Sequence, residues 1–323
     1  MILTPEKICE EFHNNKLDKY TAFELLISLI ENSENEDIRK QSIGSLEKIG
    51  LFNDRTFRIM ENILISDSNG DLRNTAAKVI KKKFNNEKAL IPLEWAIKHE
   101  SNYGCLITML KTIEKINSKE AKAILIDQLK KIKKTKYMNK EKNIENKRYK
   151  KTLKKLNKER EFEHFTQKEL AEIIINYLTI RTLTYKFPNV YYELDPQTAL
   201  IKELDLSDYI EYEVKGTPWG WKNNIKEISN IPGLSNLKKL EKIDLSYNQI
   251  NDIKDLIQLV NLRQVILINN KISDSKNINY LKSLPNLEYL DLRGNEIAKN
   301  IRLDELKTPR LRLILNDSYI KIK

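Results

Sequence analysis

Cysteine and histidine, which most often act as nucleophiles, acid–base groups and metal ligands, are scarce in this 323-residue chain, with two Cys and three His. The two cysteines, Cys9 and Cys105, are too few for a disulfide framework or a four-thiolate zinc site. Cys9 and His13 lie four residues apart on a predicted helix and could supply half a metal site, but we interpret them as a core thiol and its polar neighbour. The sequence lacks the Walker A, G-x-G-x-x-G, G-x-S-x-G and H-E-x-x-H motifs. We therefore expect no catalytic residues, no metal, no cofactor and no small-molecule substrate.

A strongly basic segment could bind a polyanion. Residues 130–160 hold 15 Lys and Arg against 3 Glu, whereas the rest of the chain is close to neutral. Several lysines along one groove would bind nucleic acid or an acidic protein surface, although lysine outnumbers arginine, the side chain that reads bases. A solvated connecting helix explains the same charge. The candidate nucleic-acid-binding residues are Lys133, Lys134, Lys136, Lys147, Arg148, Lys150, Lys151, Lys154 and Lys155.

Repeats must position the other candidate residues. The pattern L-x-x-[I/V/L]-x-L-x-x-N-x-I begins at Leu240, Leu262 and Leu287, and a shortened copy begins at Leu311. Its asparagines recur at intervals of 22, 25 and 21 residues, and a partial copy has Tyr209 at the Asn position. The L-x-L pair predicts a short strand, and the Asn amide can bond backbone groups of its own and the adjacent turn.

This pattern resembles the leucine-rich repeat, in the 22-residue subclass typified by a regulatory subunit of protein phosphatase 1. The resemblance implies a curved solenoid with a short parallel sheet, and a binding role without implying a phosphatase partner. The alternate strand positions that do not enter the core would form its concave face. Apolar side chains at Ile266 and Ile268, beside Tyr289, indicate a patch for a peptide or protein. The alternative is that these isoleucines have no binding role, because single exposed apolar side chains are common and isoleucine favours strands.

Two tryptophans lie in residues 211–224, a segment that exceeds the repeat length. Exposed Trp is a common anchor at interfaces, but both indoles could instead cap the end of the repeat array. The predicted protein-binding residues are Lys242, Asp244, Gln264, Ile266, Ile268, Tyr289, Asp291, Arg293, Arg312, Trp219 and Trp221.

The N-terminal part contains a different repeat. Asp37-x-Arg39 recurs as Asp71-x-Arg73, each followed by apolar residues at helical spacing. This resembles short HEAT-like repeats, a resemblance that implies an α-solenoid in which Asp and Arg join neighbouring repeats. A third copy has Cys105 where Asp would stand, and Ile107 where Arg would stand. Similarity to the HEAT-like bilin lyases would add an enzymatic alternative, on repeat similarity alone.

The sequence thus predicts an α plus α/β repeat protein. We expect a HEAT-like α-solenoid over 1–129, a basic and largely helical connector over 130–165, a helical lead-in over 166–194 and a leucine-rich repeat domain over 195–323. The predicted function is a non-enzymatic scaffold for protein partners, and the alternative is a nucleic-acid-associated protein. No membrane span or secretory signal is evident, so we expect a cytoplasmic protein.

Overall fold

The structure is a computed structural model, and it describes residues 3–134, 143–208, 223–299, 301, 311–316 and 319–321. The fold is mixed α/β, with many helices and a mostly parallel sheet. The chain divides into two compact units: residues 1–128 with 166–171, and residues 129–165 with 172–323. No helix in the described part of the chain has the length and apolar character needed to cross a bilayer.

The first unit is helical, and local capping sets where its helices start. Asn35, Asn69 and Asn102 each accept hydrogen bonds from backbone N–H groups of the first helical turn. Gly50 ends one helix in the left-handed conformation, with a φ of 71°. The helices are α1 Pro5–His13, α2 Lys19–Asn32, α3 Glu36–Ile49, α4 Asp54–Ser66, α5 Gly70–Lys83, α6 Leu90–His99, α7 Tyr103–Ile113 and α8 Lys119–Lys134, whose last residues belong to the second unit.

Two arginines each pair with a carboxylate at the end of the next helix along the chain. Arg39 pairs with Asp67, and Arg73 pairs with Glu100 through two hydrogen bonds of 2.7 Å. Each Arg lies four residues after a capping Asn, and each carboxylate lies two residues before the next capping Asn. The contact therefore repeats with the sequence.

The third copy is offset by one residue. Its capping residue is Asn102, 33 positions after Asn69, so Cys105 and Ile107 each lie one position beyond the places that the sequence alignment gave them. Both side chains are buried in α7. Burial raises the pKa of the Cys105 thiol, and the nearby Glu100 carboxylate raises it further.

The second unit contains α9 Asn143–Glu159, α10 Gln167–Lys186, whose first residues belong to the first unit, and α11 Lys276–Lys282. Tyr149 of α9 is fully buried, and its hydroxyl lies 2.9 Å from the Ile173 carbonyl oxygen and 2.8 Å from that of Ala199. Burial raises the pKa of Tyr149, and the nearby Tyr192 raises it further. The segment predicted as a connector therefore contributes side chains to the core of this unit.

The sheet has seven strands in chain order: β1 Tyr191–Leu194, β2 Ile201–Asp205, β3 Lys242–Asp244, β4 Gln264–Ile266, β5 Tyr289–Asp291, β6 Arg312–Ile314 and β7 Tyr319–Lys321. Strands β2 to β6 pair in parallel, and the two edge strands pair antiparallel. The parallel strands expected at the L-x-L positions are therefore confirmed. Their inward side chains, such as Ile243, Val265 and Leu290, are fully buried.

Buried asparagines join the turns that follow the strands. The Asn270 amide donates to the carbonyl oxygens of Leu245 and Leu267, and its side-chain oxygen accepts from the Ile250 N–H at 3.0 Å. Asn248 and Asn295 repeat this arrangement one step earlier and one step later. Each Asn thus satisfies polar backbone groups of two successive turns that would otherwise be buried without partners.

Asn223 makes the corresponding contacts in the first turn of the series. Its amide donates to the carbonyl oxygens of Leu206 and Ser207, at 2.9 and 3.3 Å. The sequence pattern placed Tyr209 at this step, a residue that lies outside the described part of the chain.

Candidate functional site

The outward side chains of strands β2 to β6 form one surface, which we call the outer sheet face. The strand register aligns these side chains in rows that run across the strands. One row contains Glu203, Lys242, Gln264, Tyr289 and Arg312, and the next contains Asp205, Asp244, Ile266, Asp291 and Ile314. The predicted strand residues are thus brought together on one face.

Carboxylates dominate the β2–β3 side of the outer sheet face. Asp205 and Asp244 each accept a hydrogen bond from the backbone N–H two residues further on. Burial raises the pKa of Asp244, and the charge of Asp205 adds to this, against hydrogen bonds from Ser246 that lower the pKa. Lys242 offsets part of the charge, since its ammonium group lies 3.3 Å from Glu203.

Arginine and tyrosine occupy the β5–β6 side. The Asp291 carboxylate is fully buried, and the Arg293 guanidinium donates to it with a shortest N–O distance of 2.8 Å. The guanidinium carbon of Arg312 lies 5.4 Å from the centroid of the Tyr289 ring, a cation–π contact. Asp291 therefore orients Arg293 and is not itself accessible to a partner, in contrast to its predicted role as a contact residue.

Strand β4 supplies the centre of the outer sheet face. Ile266 aligns with Asp244 on one side and with Asp291 on the other, so an aliphatic side chain lies between two carboxylates. Ile266 and Ile268 are half-buried, and the neighbouring Gln264 is exposed. The face therefore has an apolar centre with an acidic side and an arginine-containing side.

A cavity of about 1020 Å³ adjoins this face at the carboxyl ends of the strands. Ile268 and Arg293 line it, together with the turn residues Tyr247, Asn269 and Gly294. These three turn residues have left-handed backbones, with φ angles of 61°, 51° and 72°. Each of the three residues directly precedes the buried asparagine of its turn, so the left-handed conformation recurs with the repeat pattern.

The basic residues of α9 form a second candidate site. Lys147, Lys151 and Lys154 are exposed on a helix whose opposite side, Leu153 included, is buried. Arg148 is half-buried and lies 3.3 Å from the Glu193 carboxylate. Among the other candidates, Lys134 and Lys155 are exposed, whereas Lys133 and Lys150 are partly buried. Lys136 lies outside the described residues.

Comparison with protein-family models finds none that matches this sequence, and comparison with curated proteins finds no match either.

The two predicted tryptophan anchors, Trp219 and Trp221, lie outside the described residues. The ends of their segment are described: the Asn223 N–H donates to the Asp208 carboxylate at 3.0 Å.

Exposed apolar residues on α6 were missed by sequence reasoning. Ile91 is 80% exposed and Trp95 is 44% exposed, and the His99 ring stacks on Trp95 with centroids 4.2 Å apart. The spacing of four residues between these positions is visible in the sequence. Exposure could not be deduced from it, because Leu90, Leu93 and Ile97 of the same helix are apolar and buried.

The described residues contain no group of three or more His, Cys, Asp or Glu side chains that could hold a metal ion. Cys9 is buried, and the His13 Nδ1 atom lies 2.6 Å from the Cys9 carbonyl oxygen. The His13 ring is thus used in a local helix contact.

Proposed function

We propose that the chain is a non-enzymatic protein-binding scaffold, built from a HEAT-like α-solenoid and a leucine-rich repeat solenoid. The arginine–carboxylate contacts between helical repeats and the asparagine contacts between strand repeats support this proposal. Such arrays bind partners along extended surfaces. A cytoplasmic location is part of the proposal, and it is supported by two cysteines that are buried and form no disulfide.

The observation that carries the proposal is the composition of the outer sheet face. Half-buried Ile266 and Ile268 lie between the carboxylates of β2–β3 and the arginines of β5–β6. Arg and Tyr are frequent at the centres of protein interfaces. Asp291 holds Arg293 in place, so little conformational entropy is lost when Arg293 contacts a partner.

The proposed partner is an extended protein segment that crosses the strands. Its basic residue would lie over Asp205 and Asp244, its apolar residue over Ile266, and its acidic or aromatic residue near Tyr289. This orientation follows from charge complementarity along the rows.

The test begins with selection of peptides from a random library on the full chain, followed by titration of the enriched peptides. Ile266→Asp places a third carboxylate between Asp244 and Asp291, and we expect it to weaken binding at least about 10-fold, given the value of a buried aliphatic side chain. Tyr289→Ala removes the ring and is expected to weaken binding as well.

The matched control is Val260→Asp, because Val260 is 50% exposed and lies outside the strands that form the outer sheet face. Circular dichroism verifies that each variant is folded, and Arg312→Glu at an exposed position replaces Ile266→Asp if that variant unfolds. If no peptide is enriched, or if Val260→Asp weakens binding as much as the face variants do, the proposal is wrong.

A further inference from the structure

One side of α9 carries a continuous row of lysines, which we call the lysine row: Lys147, Lys151, Lys154 and Lys158. Their spacing of four, three and four residues places them one above the other on a helix. The row is about 16 Å long, at 1.5 Å per residue. All four side chains are exposed, and no ion pair joins them to a carboxylate within the described residues.

The core of the second unit fixes which way the lysine row points. Tyr149, Leu153 and Leu156 form the opposite side of α9 and are at least 98% buried. Because α9 cannot rotate without exposing these side chains, the lysines are held towards solvent. Among the described residues of α9, the packing also leaves no apolar side that could enter a lipid bilayer, as an interfacial helix requires.

Like charges are crowded along α9. Burial lowers the pKa of Lys150, and the charge of Lys154 lowers it further. A bound polyanion relieves this repulsion and releases its own counterions. Further cations flank the end of the row: Arg160 stacks on Phe165 at 3.9 Å, and Lys133 lies over the Phe162 ring at 5.7 Å.

An aromatic side chain lies at the start of the lysine row. Tyr191 of edge strand β1 is 48% exposed, and the Arg148 guanidinium carbon lies 5.1 Å from the centroid of its ring. Arg148 directly follows Lys147, so it joins the row to this ring. The Glu193 carboxylate partly neutralises the Arg148 charge, because it accepts hydrogen bonds from Arg148 and from the Tyr191 hydroxyl.

We propose that the lysine row and Tyr191 together bind a single-stranded nucleic acid, with backbone phosphates along the lysines and a base stacked on the tyrosine ring. Regularly spaced cations beside an exposed aromatic ring are typical of single-strand binding, in which phosphates supply affinity and stacking tolerates any base. Duplexes, acidic polypeptides and anionic membranes have no unstacked base to place on the ring. This function is separate from protein binding on the outer sheet face.

The test is fluorescence anisotropy of a labelled poly-U RNA or poly-dT strand of about 20 nucleotides with the full chain, at several salt concentrations. Four phosphate contacts predict that affinity falls about 50-fold or more between about 50 and about 200 mM salt. The variant Lys147→Gln, Lys151→Gln, Lys154→Gln, Lys158→Gln is expected to reduce the slope of log affinity against log salt by about 3.

The matched control is Lys16→Gln, Lys40→Gln, Lys48→Gln, Lys78→Gln, which removes the same charge from exposed lysines of the first unit. This control is expected to keep the wild-type slope. Tyr191→Ala is expected to weaken binding between about 5-fold and 150-fold, the range for loss of one stacked base, whereas Tyr191→Phe keeps the ring and the affinity.

The binding assays would overturn the proposal by any of four results: no binding at low salt, affinity that does not change with salt, equal effects of the two lysine variants, or equal affinities of Tyr191→Ala and Tyr191→Phe. Competition distinguishes the other polyanions: tighter binding of a duplex of the same length, of poly-glutamate or of phosphatidylserine vesicles also contradicts it. Peptide binding by the outer sheet face is measured separately and is unaffected by either result.

Discussion

The Arg73–Glu100 pair gives a numerical prediction about the helical unit. The Glu100 side chain is only 2% exposed. Burial by itself would raise the pKa of Glu100, but hydrogen bonds from Arg73, from the Asn102 N–H, from the Cys105 thiol and from the Ser101 N–H outweigh it and lower the pKa from 4.5 to about 2. At about 1.4 kcal/mol per pKa unit, ionised Glu100 contributes about 3 kcal/mol to the free energy of unfolding at pH 7.

The sign follows from the lowered pKa of the folded state. The contribution is fully present above the unfolded pKa of 4.5 and disappears as the pH falls towards the folded pKa of about 2. It is therefore expected to decrease from about 3 kcal/mol at pH 7 to about 1 kcal/mol at pH 3. Glu100→Gln cannot ionise, so the difference in stability between wild type and this variant should shrink by about 2 kcal/mol over that range.

The assay is urea unfolding at pH 7, 5, 4 and 3. Replacing Trp219 and Trp221 by phenylalanine in both proteins leaves Trp95, on α6, as the single fluorescent tryptophan. Because wild type and variant share every other carboxylate, their difference isolates Glu100.

The control is Glu94→Gln, in α6, the helix that Glu100 directly follows. Glu94 is 45% exposed and pairs with Lys98 four residues away, so its loss should cost less than about 0.5 kcal/mol at any pH. A wild-type to Glu100→Gln difference that is the same at pH 7 and pH 3 would refute the electrostatic role assigned to Glu100.

Two further predictions concern the turns that hold the outer sheet face. Gly294→Ala should destabilise the second unit, because a Cβ atom there would lie 1.8 Å from the Asn269 side-chain oxygen and the φ of 72° is left-handed. The control is Gly44→Ala, since a Cβ atom at Gly44, inside α3, would meet open space. Thermal unfolding should show that this control has the same stability as the wild type or gains up to about 1 kcal/mol. Asn270→Leu should lower the free energy of unfolding by about 3 kcal/mol or more. It should also remove hydrogen-exchange protection of the Ile250 N–H, which donates to the Asn270 side-chain oxygen at 3.0 Å. Unchanged protection of Ile250 would contradict the role assigned to Asn270 in joining successive turns.

The periodic features of the chain could be predicted from sequence because they depend on neighbours at fixed spacing. The apolar residues at Ile243, Val265 and Leu290 define the inner side of each strand, and the register then brings Gln264 beside Tyr289. The Asn at the end of each pattern is required by backbone groups that are present in every turn. The same reasoning predicted the apolar stripes of α3 and α5, and these stripes are buried.

Features that depend on contacts between distant residues could not be predicted in this way. Asp291 has the same place in its repeat as Asp244, yet it is fully buried beneath Arg293. The sequence pattern placed Tyr209 at the first turn of the series, whereas Asn223 makes the contacts there. The basic charge of residues 130–160 is plain in the sequence, but the direction of the lysine row is not.

The sequence by itself determined the repeat spacing, the strands at the L-x-L positions, the charge of α9 and the two alternating sides of those strands. It did not predict β1, which lies within the expected helical lead-in, or β7. The tertiary structure decided which polar groups have partners, which apolar groups such as Ile91 remain exposed, and which side of α9 faces solvent. The physical reason is that periodicity records only local geometry, whereas burial and ion pairing depend on what packs across from each residue, as Ile173 and Ala199 pack against Tyr149.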